Sequence, residues 1–455
     1  MGFLAARSLG PTAFGQYTTA AAFVGLFRVL PDFGMAYAST LSISRDPAQA
    51  GRLTGGLLGF QVFLSAATLA LCLGLGHSLY TGVTWLAVAV LSFDLILKSV
   101  KFTLRFLLKS LELFAAESLS LLAERAGILT FGAWVLRDHK GLVAFALVFL
   151  TVRLVDVAGL WAYVHARVVP LRPSADRTLW LGLLRKGLPF AYAGLVMTLI
   201  FQLDAVLLDQ LRGPEEVGWY RPPTFVLEGL TLVPRILGYA LIPIMASLHV
   251  TEPRLVTALY SRGCKYLLLV GLPIGVFGWL ASDRFLPFLF GTAYGASITA
   301  SRILLPAAVL MFLSNFSETT LACIDRWRWI VAASTAALLL NVVLNLLWIP
   351  AQGYLGASRA TLATEAFYLV ATAVAVAASG HRIAWPSLVI RPLAAAGIFG
   401  LALWLGREWP LVLSSALASC AWLGATFVLR VWDQKERAAL DELLRGHAPD
   451  PRLLT

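Results

Sequence analysis

Apolar runs of about 18–25 residues recur along nearly the whole chain, parted by short polar breaks, and each is long enough to cross a bilayer core of roughly 30 Å. Backbone groups in hydrocarbon need internal hydrogen bonds, so such runs are helices. The pattern predicts spans at 16–42 (broken near Pro31), 54–76, 82–97, 112–136, 141–164, 187–208, 217–247, 261–281, 295–323, 328–350, 354–378, 387–405 and 409–430. The breaks between them are too short for a large extramembrane domain. The predicted fold class is an all-α polytopic membrane protein.

Composition sharpens this picture. The 455 residues are 59% hydrophobic and only 13% charged, with a mean hydropathy of +0.78. That excludes the two or three soluble domains that length alone suggests. A net charge of +11 points to nucleic acid in a soluble protein; here it is assigned to loops facing anionic lipid heads. No nucleic-acid partner is expected. The cysteines (Cys72, Cys264, Cys323 and Cys420) lie in or beside apolar runs without CxxC spacing, as small core residues do. There is no zinc-type cluster, Walker loop or G-x-S-x-G elbow, so no cofactor, metal or catalytic residue is expected.

Lys and Arg give orientation. Alternate segments carry Arg45 and Arg52; Lys98, Lys101, Arg105 and Lys109; Arg167, Arg172, Arg177, Arg185 and Lys186; Arg254, Arg262 and Lys265; Arg326 and Arg328; Arg382 and Arg391; and the tail from Arg430. The opposite loops hold only Arg7, Arg137, Lys140, Arg212, Arg284 and Arg407. The basic side is expected to face the cytoplasm, the C-terminus with it. In the tail, Leu440, Leu443 and Leu444 suit one face of a short surface helix, and a solvated tail suits the sequence equally. This orientation puts Arg7 outside, although "MGFLAA" is too short to bring the chain there. The expectation is that the first helix is truncated and that Met1 is an internal or misassigned start; a genuinely shortened first helix is the alternative. The N-terminal peptide of the native protein tests this.

One turn is written twice. "GPTAFGQY" at 10–17 (Gly10, Pro11, Gly15, Tyr17) returns as "GPEEVGWY" at 213–220 (Gly213, Pro214, Gly218, Tyr220), and Pro31 falls on Pro234 at the same offset. Both copies sit outside by charge, so the repeat is parallel. The predicted organisation is an N-terminal lobe at 1–165, a cytoplasmic linker at 166–186, a C-terminal lobe at 187–378, two additional helices at 379–430 and a cytoplasmic tail at 431–455. Paired lobes with a cleft between them suit an alternating-access transporter.

"AARSLGPTAFGQYTTAAAFVGLF", "LLRKGLPFAYAGLVMTLIFQLDAVLLDQLRGPEEVGWY" and "NVVLNLLWIPAQGYLGASRATLATE" resemble the Wzx-type polysaccharide flippases of the multidrug/oligosaccharidyl-lipid/polysaccharide exporter superfamily. The resemblance covers almost the entire chain. It implies two pseudo-repeated six-helix lobes plus two C-terminal helices, about 13 of these helices being present in this chain. It also implies translocation of a polyprenyl-diphosphate-linked oligosaccharide to the outer leaflet for cell-surface polysaccharide synthesis. The implied partners are that glycan, membrane lipids, and a polysaccharide polymerase with chain-length machinery.

Ionisable residues within spans need a partner or water. Arg28, Arg125, Arg153, Arg221, Arg235, Arg302 and Arg359 are candidates for a diphosphate in the cleft, because guanidinium forks bind phosphate bidentately. Internal ion pairing is the alternative, as for Arg153 with Asp156. Asp204, Glu117, Glu124 and Glu228 are candidates for ion coupling, against simple pairing with lobe arginines. Asn341 and Asn345 share a helix face. A cation-coupled multidrug exporter of the same superfamily is the competing function, and it calls for a more acidic cavity. A membrane glycosyltransferase or polymerase calls for longer outside loops than the roughly 5–15 residues predicted here.

Overall fold

The computed structural model describes residues 1–138 and 140–432; the suggested tail helix at 440–444 lies outside them. Among the described residues every element is helical. The α-helices are α1 (Gly2–Leu26), α2 (Met35–Arg45), α3 (Ala50–Leu79), α4 (Gly82–Ser110), α5 (Phe114–Arg137), α6 (Gly141–Arg167), α7 (Arg177–Arg212), α8 (Pro214–Leu230), α9 (Leu232–Thr251), α10 (Pro253–Leu280), α11 (Ser282–Phe290), α12 (Ser297–Cys323), α13 (Trp327–Gln352), α14 (Tyr354–Ala378), α15 (Trp385–Leu405) and α16 (Leu411–Val428). Among the described residues, 12 stretches are long and apolar enough to span a membrane, with α8 and α9 together forming one of them.

Two predicted spans are divided. The 16–42 run becomes α1 and α2, separated by a turn at 27–34 with left-handed Phe33 and Gly34. The break expected near Pro31 is this turn. The 217–247 run likewise divides at Thr231, and Pro234 lies in the first turn of α9, where a missing N–H costs no helical bond. The basic stretch Lys98–Lys109 is the second half of α4 and not a loop.

The chain forms two compact units, Met1–Arg221 and the part from Pro222 on. In the first, α4 packs against α1, α2, α3, α5 and α6, while α7 packs on α1, α2 and α3. Its core joins Met35, Leu53, Leu57, Leu104, Leu108, Leu160 and Leu183. Segment 168–176 lies on α3: Ser174 N–H donates to the Gly55 carbonyl at 3.0 Å, and the bare surfaces of Gly55 and Gly59 admit its backbone.

In the second unit α12 packs against α9, α10 and α14, α13 against α14, and α15 against α10 and α16. Lipid tails are as apolar as leucine, so close packing rather than water exclusion holds membrane helices together. Gly263, Gly271 and Gly278 on α10 accordingly leave room for Phe316, Phe312 and Leu305 of α12.

Candidate functional site

The duplicated turn has one conformation in both places. Gly10 (φ 74, ψ 171) and Gly213 (φ 95, ψ 169) share a backbone that only glycine adopts readily. Each is followed by a proline that opens a helical segment. Within the first unit the two copies are partners. Gly15 lies against the Pro214 carbonyl, and Gly218 lies against the Pro11 carbonyl, each too close for a Cβ. This reciprocity is a local two-fold relation. Tyr17 packs on Phe145 and Phe149; Tyr220 donates its hydroxyl to Asp204 Oδ2 at 3.0 Å.

Two further landmarks recur. Glu112 after α4 (φ 60) and Asp325 after α12 (φ 59) are left-handed acidic turn residues, each followed by an N–H that reaches back to an earlier carbonyl (Leu113 to Leu108, Arg326 to Leu321). Gly141 opens α6 and Gly353 precedes α14, both with positive φ. Counting from these landmarks makes Lys101 and Arg105 correspond to Ser314 and Glu318, Glu124 to Ala337, and Arg153 and Asp156 to Glu365 and Tyr368.

In the first unit these positions build a buried charge network. Glu124 accepts from Lys101 at 2.6 Å, from Arg105 at 3.1 Å and from Arg153. Arg153 also holds Asp94, whose other oxygen meets Lys98 at 2.9 Å. Arg105 reaches Ser120 at 3.0 Å and Asp156 at 3.4 Å, and Ser120 donates to Asp156 at 2.6 Å. Four cations thus meet three carboxylates. Arg153 and Glu124 are each 4% exposed, too little for solvent to screen them. Tyr17 is an electrostatic neighbour of Asp94, Arg153 and Arg221, so one copy of the repeated turn abuts the network.

In the second unit the corresponding seam is acidic. Tyr368 donates to Glu318 at 3.0 Å, Ser314 lies 3.4 Å from Glu365, and Arg235 is an electrostatic neighbour of Glu318. One architecture therefore carries opposite polarity in its two copies.

The candidate residues separate accordingly. Arg153 and Glu124 belong to the network. Glu117 is half-buried with Lys109 at 3.6 Å, and Asp204 is buried beneath Tyr220. Arg28 is exposed on the 27–34 turn, and Arg125 is exposed on α5. Arg221 and Glu228 are half-buried, and Arg235 is exposed on α9. Arg302 faces Asp283 at 3.9 Å, and Arg359 pairs with Gln352. Asn345 donates to Asn341 at 3.0 Å within α13. Lys101 and Arg105, read as loop cations from sequence, are brought into the network by the continuation of α4. Glu318 and Glu365 are recognisable in the sequence as acids within spans, but neither they nor Tyr368 belong to the candidate set. The spacing from Glu112 and Asp325 finds Glu318, and that from Gly141 and Gly353 finds Glu365 and Tyr368. Among the described residues no His/Cys/Asp/Glu group has the arrangement of a metal site.

The model of the polysaccharide biosynthesis protein family matches residues 2–249, more than half of the chain. No curated protein sequence matches. Among solved structures, the lipid II flippase MurJ in an inward closed conformation superposes with a TM-score of 0.77 at 12% identity, covering 94% of this chain and 96% of that one. An inward-facing multidrug resistance MATE family transporter of the MOP superfamily gives 0.66 at 14%, covering 84% and 94%. A MOP superfamily transporter from Pyrococcus furiosus gives 0.53 at 15%, covering 83% and 91%. At these identities the likeness establishes the fold, while the family match establishes kinship. The chain belongs to the polysaccharide biosynthesis protein family, and it is a multi-pass membrane protein with the MurJ/MATE fold.

Proposed function

We propose that the protein flips a polyprenyl-diphosphate-linked oligosaccharide across a bacterial cytoplasmic membrane by alternating access, supplying cell-surface polysaccharide synthesis. The observation that carries this reading is the cationic surplus of the α4–α6 network. Lys98, Lys101, Arg105 and Arg153 meet only Asp94, Glu124 and Asp156 there, and a diphosphate supplies the negative charge that the three carboxylates do not. The isoprenoid tail stays in lipid while the lobes, 1–165 and 187–378, alternate access between the two sides. The cargo then serves a polymerase and its chain-length partners. Flipping makes and breaks no covalent bond, so this reading calls for no catalytic residue.

A cation-coupled multidrug exporter is the second reading. The carboxylates Glu318 and Glu365 in the second unit favour it.

Deleting the gene and probing spheroplasts with a membrane-impermeant sugar-modifying reagent separates the two. Accumulation of complete lipid-linked repeat units shielded from the reagent, reversed by the wild-type gene but not by Lys101→Gln/Arg105→Gln, is the expected result. Unchanged lipid-linked glycan with new sensitivity to cationic dyes would instead establish the exporter.

A further inference from the structure

We propose that the first unit holds a small monovalent cation, such as sodium, between α1, α7 and the link from α3 to α4. Three oxygens converge there. Thr19 stands on α1, and Asp209 stands on the last turn of α7, the helix packed on α1. Tyr80 follows α3, and its ring meets Phe23, one helical turn beyond Thr19, edge-on at 5.2 Å. Thr19 is a neighbour of the Asp209 carboxyl, which is in turn an electrostatic neighbour of Tyr80. Thr19 is 0% and Tyr80 is 5% exposed. Gln210 lies beside the Tyr80 hydroxyl without closing a hydrogen bond to it. Thr19 Oγ1, the Tyr80 hydroxyl and Asp209 Oδ1 are each buried with no hydrogen-bond partner among the described residues.

Buried polar atoms are normally paired, and a carboxylate deprived of water calls for an opposite charge. Among the described residues no Lys or Arg supplies it to Asp209; Arg212, the nearest in sequence, pairs with Glu216 at 3.0 Å. Hydroxyl and carboxylate oxygens are the ligands that hard cations take. One carboxylate with two neutral hydroxyls balances a single positive charge, which favours a monovalent ion over a divalent one. A trapped water is the rival occupant, and it brings no charge to offset Asp209. The Gly213 N–H donates to the Asp209 carbonyl at 2.8 Å, so a held ion fastens α1 to α7 directly beside the repeated turn. The site shares no residue with the charge network and does not depend on what the protein transports.

The test is the melting temperature of the full chain in detergent, in sodium chloride or choline chloride at equal ionic strength, beside equilibrium binding of radioactive sodium. Sodium is expected to raise the melting temperature saturably and to bind at about one ion per chain. In choline, Thr19→Val and Tyr80→Phe are expected to melt no lower than wild type, because each loses a hydroxyl that has no protein partner. In sodium the same two variants are expected to melt below wild type and to bind the ion about tenfold less tightly. Asp209→Asn is expected to lose the ion. Equal melting of the wild type in the two salts would overturn the proposal and leave a buried water at the site. Sodium binding that survives Asp209→Asn, or that is lost on Glu318→Gln instead, would overturn it too. Where Asp209→Asn fails to fold, the two hydroxyl variants decide, and wild-type affinity in both sinks the site. The leaflet assay reads flipping alone, so none of these results bears on it.

Discussion

Gly10 and Gly15 stand in the same turn and do different work. Gly10 has open space around it but a left-handed φ, so alanine there meets only backbone strain, about 1–2 kcal/mol. Gly15 meets the Pro214 backbone, and backbone does not swing aside as a side chain does. Gly15→Ala and Gly218→Ala are expected to exceed the usual 1–3 kcal/mol or so of overpacking and to lower the melting temperature in detergent further than Gly10→Ala. An equal effect at all three positions would deny the reciprocal contact. In the charge network, Arg153→Met leaves Asp94 with Lys98 alone and is expected to cost about 3–5 kcal/mol, as breaking a buried pair does. Adding Asp94→Asn removes the stranded charge. The double variant is therefore expected to melt above Arg153→Met, and additive losses would show that the pair does not interact.

Helix beginnings and ends carry the second scale. α7 is long and starts outside the apolar region with Asp176 as its N-cap, accepting from the N–H groups of Thr178 and Leu179 at 3.0 and 3.2 Å and from the Thr178 hydroxyl at 2.6 Å. The Thr178 hydroxyl first, then the Leu179 N–H, hold the Asp176 carboxyl below the usual carboxylate range. A depressed folded value means the cap stabilises fully above the unfolded value of about 3.9 and is lost as pH falls through the lower folded one. Hydrogen exchange of the 177–180 amides is expected to be steady from neutral pH down to about 5 and to quicken in stronger acid after correction for intrinsic rates. Asp176→Ala should quicken it at every pH, whereas Asp176→Asn, itself a good cap, should remove only the acid dependence. The turns after α4 and α12 show how an element ending preserves kinship. Glu112 and Asp325 keep the same left-handed geometry while the helices before them have exchanged charge.

The whole molecule is two related units with unlike polar seams, cationic at α4–α6 and acidic at α12–α14. Duplication conserves how helices meet, whereas charge is free to diverge once each copy contacts a different ligand. Orientation belongs to this scale too. In a variant whose native cysteines are replaced, Glu408→Cys between α15 and α16 is expected to react with an impermeant maleimide on intact cells. Arg382→Cys between α14 and α15 is expected to react only after permeabilisation. The reverse pattern would invert the proposed topology and put the basic face outside.

Length and apolarity of the runs alone determined that this chain crosses a membrane many times, because a bilayer admits few backbone solutions. The repeated Gly-Pro turn announced duplication, since its glycine and proline are set by local backbone geometry that neighbours do not alter. The break at 27–34 was marked by Pro31, whereas the one at Thr231 escaped because hydropathy is blind to where a helix pauses. Which charges meet was decided only by tertiary structure. Lys98, Lys101 and Arg105 read as loop cations until α4 was seen to continue, and Arg153 and Glu124 lie far apart in sequence yet share one buried network. Pairing across helices depends on their rotation and depth, and a pattern along one chain does not encode either.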